Sequence, residues 1–370
     1  MMIANIKHAA LLLFFPMLMS CDVQGTADEP EGLIPVAEFG ESMAIGLSVG
    51  TDSRVFVAFP NADGQGGLSL AVIDSTGRLA AYPDTAWNAE GDYNSHFLRV
   101  QDLFVDADDN LWVLDSKPGS AGNIFGDGGA VSGQFKLVKI DTRSDTVEDI
   151  YLFDDLDKSA SALNDVRVDV EKNLAYFSDP GQAAIVVLDL SSGATRTLLA
   201  NSAYTTATDR VLSYDGLEMR NTDGTPFSSN INSIALTPDF KYFYFKPINQ
   251  DTLFRVETRY LADTALSATA LSDAVEDMGV VGPTHGMIAG ENGNIYLTTS
   301  ESYSISYLSP DGQLHQLVQD RRLLWPDSFG IGPDGYLYVS CAQLQRLPQW
   351  NEGVDKTEYP YTAFKVKLPE

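Results

Sequence analysis

Short runs of alternating apolar and polar residues fill the chain from residue 33 onward, and the helical period of 3.6 residues is almost absent. Most runs are rich in β-branched and aromatic residues and end at Asp, Asn, Gly or Pro. Those residues favour turns between strands. The pattern therefore predicts an all-β protein built from many short strands.

Five stretches of the sequence share one frame, in which a polar residue leads a strand, a turn follows and an apolar or aromatic run begins the next strand. The leads are 63, 68, 53 and 42 residues apart, and each interval has room for four strands with their loops. Four-stranded units repeated at this period are typical of β-propellers. The lead residues are Gln101, Asn164, Asn232, His285 and Asp327, and a degenerate sixth copy begins at Ile45. Six copies predict a six-bladed β-propeller over residues 33–370.

Two features of this propeller follow from its geometry. One aromatic position of each repeat is expected to pack between neighbouring blades, and it is occupied by Trp112, Tyr176, Phe243, Tyr296 and Tyr338. The edge strand at the point of ring closure needs a pairing partner. Residues 33–39 or residues 362–367 can supply that strand.

The first twenty residues have the pattern of an export signal. Lys7 precedes eleven apolar residues at positions 9–19, a stretch too short to span a bilayer as a helix. The sequence Leu-Met-Ser-Cys at positions 18–21 resembles a bacterial lipoprotein cleavage box, which predicts lipidation of Cys21. An ordinary signal peptide cleaved nearby is the alternative. Residues 21–32 are expected to form a flexible tether, so the protein is expected to be extracytoplasmic, either lipid-anchored or secreted.

The composition is strongly acidic, since 51 Asp and Glu residues face 24 Lys and Arg residues among 370, for a formal net charge of −27. Such a surface repels nucleic acid and anionic lipid and attracts cations. The two cysteines form no disulfide scaffold, and no Cys/His cluster has the spacing of a zinc site. We therefore expect a monomer whose partner is a small molecule, with no nucleic acid and with membrane contact only through a lipid anchor.

Several segments resemble the major royal jelly protein and Yellow family. They are residues 52–60, RVQDLFVDADDNLWVLD at 99–115, NDVRVD at 164–169, SIALTPDFKYFYF at 233–245 and WPDSFG at 325–330. The resemblance extends from about residue 33 to the end and implies a secreted six-bladed propeller. The family includes insect ligand binders and proteins tied to melanin chemistry, so the resemblance implies no single activity. This chain lacks the extra cysteines that many insect members use in disulfides.

The innermost strand of each blade lines the axial channel, so the five lead residues are expected to meet at one mouth. Convergent polar groups orient ligands, although such groups can also simply bind one another and buried water. We predict a ligand site formed by Gln101, Asn164, Asn232, His285 and Asp327. Asp327 would pair with a cationic amine, and His285 is expected to titrate near neutral pH. The predicted aromatic rim comprises Phe97, Tyr204, Phe227 and Trp325.

Three other functions remain open. Propellers resembling gluconolactonases hold a divalent ion at this mouth. Here Asn164, Asn232 and Asp327, with Glu38 or Glu41, would hold Ca²⁺ or another divalent cation for a lactonase-like hydrolase. Metal binding is not favoured, because Glu38 and Glu41 in the first blade do not occupy the position of the lead residues in the repeat. The second is a tautomerase acting on quinones or catechols with His285 as proton shuttle, and the third is a protein scaffold.

A serine nucleophile has weak support in the sequence. The segment Gly46-Leu-Ser-Val-Gly50 matches the nucleophile pattern of hydrolases, but a strand follows it where that motif needs a helix. We therefore expect Ser48 in the core. No serine or cysteine can be placed beside His96 or His285 from the sequence alone, so no catalytic triad is predicted.

Overall fold

A computed structural model describes residues 32–60, 67–74, 76–119 and 132–369. The predicted export signal, Cys21 and all but the last residue of the predicted tether lie outside these ranges. Within them, no helix has the length and apolar character needed to cross a lipid bilayer.

Six four-stranded antiparallel sheets form the blades of a β-propeller, as the repeat predicts. The first strand in the chain, β1 (Ile34–Glu38), belongs to the last blade. Blade 1 contains β2 (Leu47–Val49), β3 (Val55–Ala58), β4 (Leu70–Ile73) and β5 (Leu79–Ala81). Blade 2 contains β6 (Val100–Val105), β7 (Asn110–Lys117), β8 (Gln134–Asp141) and β9 (Thr146–Tyr151). Blade 3 contains β10 (Val166–Asp169), β11 (Leu174–Asp179), β12 (Ala184–Asp189) and β13 (Thr195–Leu198).

A hairpin of β14 (Ser213–Tyr214) and β15 (Leu217–Glu218) separates blades 3 and 4. Blade 4 contains β16 (Ile231–Leu236), β17 (Tyr242–Pro247), β18 (Thr252–Glu257) and β19 (Glu276–Val280), with helices α1 (Thr258–Ala262) and α2 (Ala268–Asp273) before its last strand. Blade 5 contains β20 (Met287–Ala289), β21 (Ile295–Thr299), β22 (Ser304–Leu308) and β23 (Leu314–Gln319). Blade 6 contains β24 (Pro326–Ile331), β25 (Tyr336–Cys341) and β26 (Thr362–Lys367), and 3₁₀ turns occur at Ser300–Ser302, Leu344–Arg346 and Pro348–Trp350.

The ring closes in blade 6, where both candidate segments take part. Strand β26 pairs with β25, and β1 pairs with β26 as the outermost strand, with Glu38 opposite Thr362. Strands from the beginning and the end of the propeller segment are therefore hydrogen-bonded in one sheet, which closes the ring.

Aromatic residues fill the spaces between blades. The rings of Tyr176 in blade 3 and Phe243 in blade 4 pack with centroids 5.3 Å apart. Trp112, Tyr296 and Tyr338 are also buried, each in a cluster shared by adjacent blades. The prediction that these five positions pack between blades is confirmed.

The first strands of the blades contact one another around the axis in the order β2, β6, β10, β16, β20, β24 and back to β2. Packing there is tight, since a side chain on Gly286 would place its Cβ 1.8 Å from the carbonyl oxygen of Asp327. Only glycine permits blades 5 and 6 to approach this closely. Gln101, Asn232 and Asp327 lie in these strands, and the other two lead residues, Asn164 and His285, come two residues before β10 and β20.

Candidate functional site at the axial mouth

Four of the five lead side chains line one small cavity on the propeller axis. They are Gln101, Asn164, Asn232 and Asp327, and Ser229 adds a hydroxyl group beside them. The remaining wall is apolar and comprises Ile45, Phe227, Ile248, Trp325 and Leu344. The cavity has a volume of about 30 Å³. At about 10–15 Å³ for each water-sized group, it holds about two such groups.

Irregular strand pairing positions three of these side chains. The register between the first two strands shifts across Gln101 in blade 2, Asn232 in blade 4 and Asp327 in blade 6. A bulge bends a strand and re-aims the side chain of the extra residue. The bulges therefore direct these three polar side chains toward the cavity.

Hydrogen bonds connect the polar groups of the cavity. The Nε2 of Gln101 donates to Oδ1 of Asn164 over 3.1 Å, and Nδ2 of Asn164 donates to Oδ1 of Asp165 over 2.7 Å. The Nε1 of Trp325 donates to Oδ2 of Asp327 over 3.1 Å. The Gln101–Asn164 bond thus joins blades 2 and 3 at the cavity, and the Trp325–Asp327 bond orients the carboxyl group within blade 6.

Asp327 is the carboxyl group of the cavity, and burial raises its pKa to about 8, against the smaller opposing effect of the Trp325 hydrogen bond. The charge of Asp102 raises this pKa further. Burial and the charge of Asp102 also raise the pKa of Asp165 well above its ordinary value. Asp327 is therefore mostly protonated at neutral pH, and a cation in the cavity would favour its ionised form.

His285 lies outside the cavity lining, which differs from the expectation. Its imidazole stacks on Trp325 with ring centroids 3.7 Å apart and planes 20° apart. Burial lowers its pKa well below 6.5, and the charge of Lys246 lowers it further. The ring is therefore neutral at neutral pH and does not titrate there, because the buried site cannot solvate the imidazolium form.

The structure brings Ser300 and Tyr214 to His285, and no feature of the repeat predicts either contact. The Nε2 of His285 lies 2.5 Å from Oγ of Ser300, and the hydroxyl of Tyr214 lies 2.8 Å from the same Oγ. All three side chains are buried, and Nδ1 of His285 has no hydrogen-bond partner among the described residues. A serine–histidine pair without an orienting carboxylate and without access is not a hydrolase triad.

Two of the predicted rim residues line the cavity and two do not. Phe227 packs edge-on against Trp325 with ring centroids 5.5 Å apart. Phe97 instead packs at a tilt against Trp87, and Tyr204 packs edge-on against Phe254. Their positions in the loops follow tertiary packing that the repeat does not encode.

Trp325 has an unusual backbone, with a φ of 52° in the left-handed region. This conformation is rare for a bulky residue and indicates local strain. The stack on His285 and the hydrogen bond to Asp327 hold the indole in place.

The residues at this mouth would form a weak site for a divalent metal ion. Ca²⁺ takes about six to eight oxygen ligands, and the cavity would reach six only by using every side-chain oxygen in its lining, of which a single carboxyl group is acidic, while its other wall is carbon. Glu38 and Glu41 are exposed, and Ile45 occupies the first-blade position. Among the residues the structure describes, no three or more His, Cys, Asp or Glu side chains form a metal-binding group.

Ser48 lies in the core, as expected, and not at a nucleophile turn. It is buried in β2, and its Oγ accepts a hydrogen bond from the backbone amide of Val105 over 3.0 Å. Gly46 and Gly50 flank β2, and the element that follows is the strand β3, not a helix.

Comparison with known proteins gives one family and a consistent fold. The family model described as major royal jelly protein matches residues 99–369. A calcium-binding protein, regucalcin, from Agrobacterium tumefaciens is 16% identical with a TM-score of 0.55, and the match covers 92% of this chain and 94% of that one. A gluconolactonase from Xanthomonas campestris is 11% identical with a TM-score of 0.53 over 93% of this chain and 99% of that one.

A luciferin-regenerating enzyme is 13% identical with a TM-score of 0.55, and the match covers 92% of this chain and 96% of that one. No curated protein sequence matches significantly. At such low identities the structural matches show the fold alone.

Proposed function

This chain belongs to the major royal jelly protein family, and on that premise we propose that it is an exported binding protein that holds a small primary amine by its ammonium group at the axial mouth. The observation that carries the proposal is the cavity in which Asp327 lies beside amide groups and the rings of Trp325 and Phe227.

The chemistry of the cavity suits an ammonium group better than a metal ion. An ammonium group has three N–H donors and needs about three acceptors. The Asp327 carboxylate and the amide oxygens of the lead residues supply acceptors of this kind. The faces of Trp325 and Phe227 attract a cation further through their ring electrons.

The volume of the cavity limits the size of the group that it can hold. A volume of about 30 Å³ admits the ammonium group and the carbon attached to it. Phe227 and Leu344 are buried in the cavity wall, and both lie in connections outside the strands of the blades. The body of a larger amine would have to displace these two side chains, so we propose that the connections open when such a ligand enters.

The enzymatic alternatives have less support. The similarity to a gluconolactonase concerns the fold, and the cavity offers a divalent cation a single carboxyl group. A tautomerase using His285 as proton shuttle would need an accessible imidazole with a pKa near neutrality, and this imidazole is buried with a lowered pKa.

A matched pair of ligands tests the proposal. Tyramine and tyrosol differ only in an ammonium group and a hydroxyl group, and methylamine carries the head group alone. We expect calorimetry to give at least about tenfold tighter binding of tyramine than of tyrosol, because the ion pair is charge-assisted. Equal affinity of the two, or binding of neither amine, would contradict the proposal.

A further inference from the structure

A second and larger cavity lies at the opposite mouth of the axial channel, where the innermost strands end. Its volume is about 470 Å³, within the range of about 300–1,000 Å³ that small-molecule sites have. Its wall includes the last residues of five innermost strands. They are Val49, Val105, Leu236, Ala289 and Ile331, of β2, β6, β16, β20 and β24. We call it the lower funnel.

The lower funnel is lined mainly by carbon. Apolar residues of four blades line it, chiefly Leu103, Phe104, Phe240, Ile288, Phe329 and Ile331. Apolar surface that is removed from water on binding contributes about 25 cal/mol per Å². The body of any ligand held here is therefore apolar.

One cationic side chain, Arg167, also lines this funnel. It is only 6% exposed, and its Nη1 lies 3.0 Å from Oδ2 of Asp102. Its Nη1 and Nη2 donate to the backbone oxygens of Val166 and Met287 over 2.5 and 3.2 Å. Its Nε has no acceptor among the described residues, and a buried N–H group without an acceptor is costly.

The charges around the funnel disfavour an anionic ligand. The carboxylate of Asp102 already balances Arg167, and Asp106 and the exposed Glu291 lie in the wall. The whole chain has a net charge of −27. A carboxylate would meet repulsion here, whereas a neutral carbonyl oxygen can accept from Arg167 without adding charge.

We propose that the lower funnel is a second binding site, which takes an uncharged, largely apolar molecule that presents a carbonyl oxygen to the guanidinium of Arg167. The site shares no lining residue with the axial cavity. The proposal therefore does not rest on the function proposed above.

Three naphthalene probes separate the parts of this proposal. The probes are 6-propionyl-2-dimethylaminonaphthalene, the same ring system with a carboxylate in place of the propionyl group, and 2-dimethylaminonaphthalene without either. Their fluorescence reports transfer from water to an apolar site. For the wild-type chain we expect the ketone to bind about tenfold more tightly than the compound without an acceptor, and the carboxylate to bind more weakly than the ketone.

A pair of variants locates the bound probe. Ile288→Trp fills the funnel and is expected to weaken ketone binding at least about tenfold. Leu314→Trp adds the same ring on the outer strand β23, where Leu314 is 46% exposed, and is expected to leave the affinity unchanged. Circular dichroism checks that both variants fold.

The proposal is overturned by a ketone that binds no better than the compound without an acceptor, by a carboxylate that binds as well as the ketone, or by equal effects of the two tryptophan variants. The probe series uses the wild-type chain, so it remains decisive even if Ile288→Trp fails to fold. Unchanged ketone binding by Asp327→Asn is expected and separates this site from the axial mouth.

Discussion

Trp325 separates His285 from the axial cavity, with the imidazole stacked on the indole at a centroid distance of 3.7 Å. The same indole lines the cavity and donates to Asp327 from its Nε1. One residue therefore shields the histidine and positions the carboxyl group. Asp327 is consequently the group of the cavity that gains and loses a proton, and His285 acts by positioning the Trp325 indole.

The first prediction concerns the protonation of His285. Because burial lowers its pKa well below 6.5, we expect its ring carbon chemical shifts to stay constant between about pH 6 and pH 8. NMR on protein with labelled histidine measures this, and the same residue in denaturant provides the control. A native-state midpoint within that range would contradict the placement of His285 behind Trp325.

The second prediction concerns a buried ion pair in blade 2. Lys136 and Asp115 are fully buried, and Nζ lies 2.6 Å from Oδ2. Nζ also donates to the backbone oxygens of Tyr93 and His96. Lys136→Met would leave the carboxylate without its cation, and we expect a loss of about 3–5 kcal/mol in the free energy of unfolding by urea.

The control for this measurement is the exposed pair of Arg220 and Glu218, whose side chains are 39% and 54% exposed. Arg220→Met should cost less than about 1 kcal/mol. A similarly small loss for Lys136→Met would show that the buried pair does not stabilise blade 2.

The third prediction links stability to the pKa of Asp327. Its native pKa of about 8 lies above the ordinary 3.8, so the native state retains a proton that the unfolded chain releases. This contribution to stability is fully present below about pH 4 and is lost as pH rises toward about 8. Asp327→Asn cannot lose a proton, so its stability relative to the wild type should rise over that window.

Urea unfolding of both proteins at about pH 5 and about pH 8 measures the difference, in which the other titrating groups cancel. A constant difference would mean that Asp327 has an ordinary pKa in the folded protein.

The fourth prediction concerns export. If Cys21 carries the lipid anchor, Cys21→Ala should move the protein from the membrane fraction to the soluble fraction of a bacterial host, because the acyl chains provide the anchoring energy. Labelling with a radioactive fatty acid should disappear in the same variant. Identical fractionation of parent and variant would instead favour an ordinary signal peptide.

The fold could be predicted because each repeat has a recognisable local sequence pattern. Each blade needs an alternating strand, a polar turn and an aromatic residue such as Tyr176 or Tyr296, and these recur at a readable period. The convergence of Gln101, Asn164, Asn232 and Asp327 followed from the same frame.

Features that depend on tertiary contacts could not be predicted in this way. The left-handed backbone of Trp325, the approach of Ser300 to His285 and the place of Phe227 in the cavity wall arise from packing between distant segments. Arg167 was visible in the sequence, but its role at the lower funnel depends on the neighbouring blades.

The most direct test is the pH dependence of tyramine affinity in the wild type and in Asp327→Asn. The ammonium group pairs with ionised Asp327, whose pKa is about 8. We therefore predict that the affinity of the wild type rises by up to about tenfold per pH unit below pH 8 and then levels off. Asp327→Asn should bind tyramine more weakly, and its affinity should not rise with pH over this range. Asp311→Asn, which removes the same charge from an exposed turn, should behave as the wild type. An affinity that is independent of pH, or unchanged in Asp327→Asn, would contradict amine binding at the axial mouth.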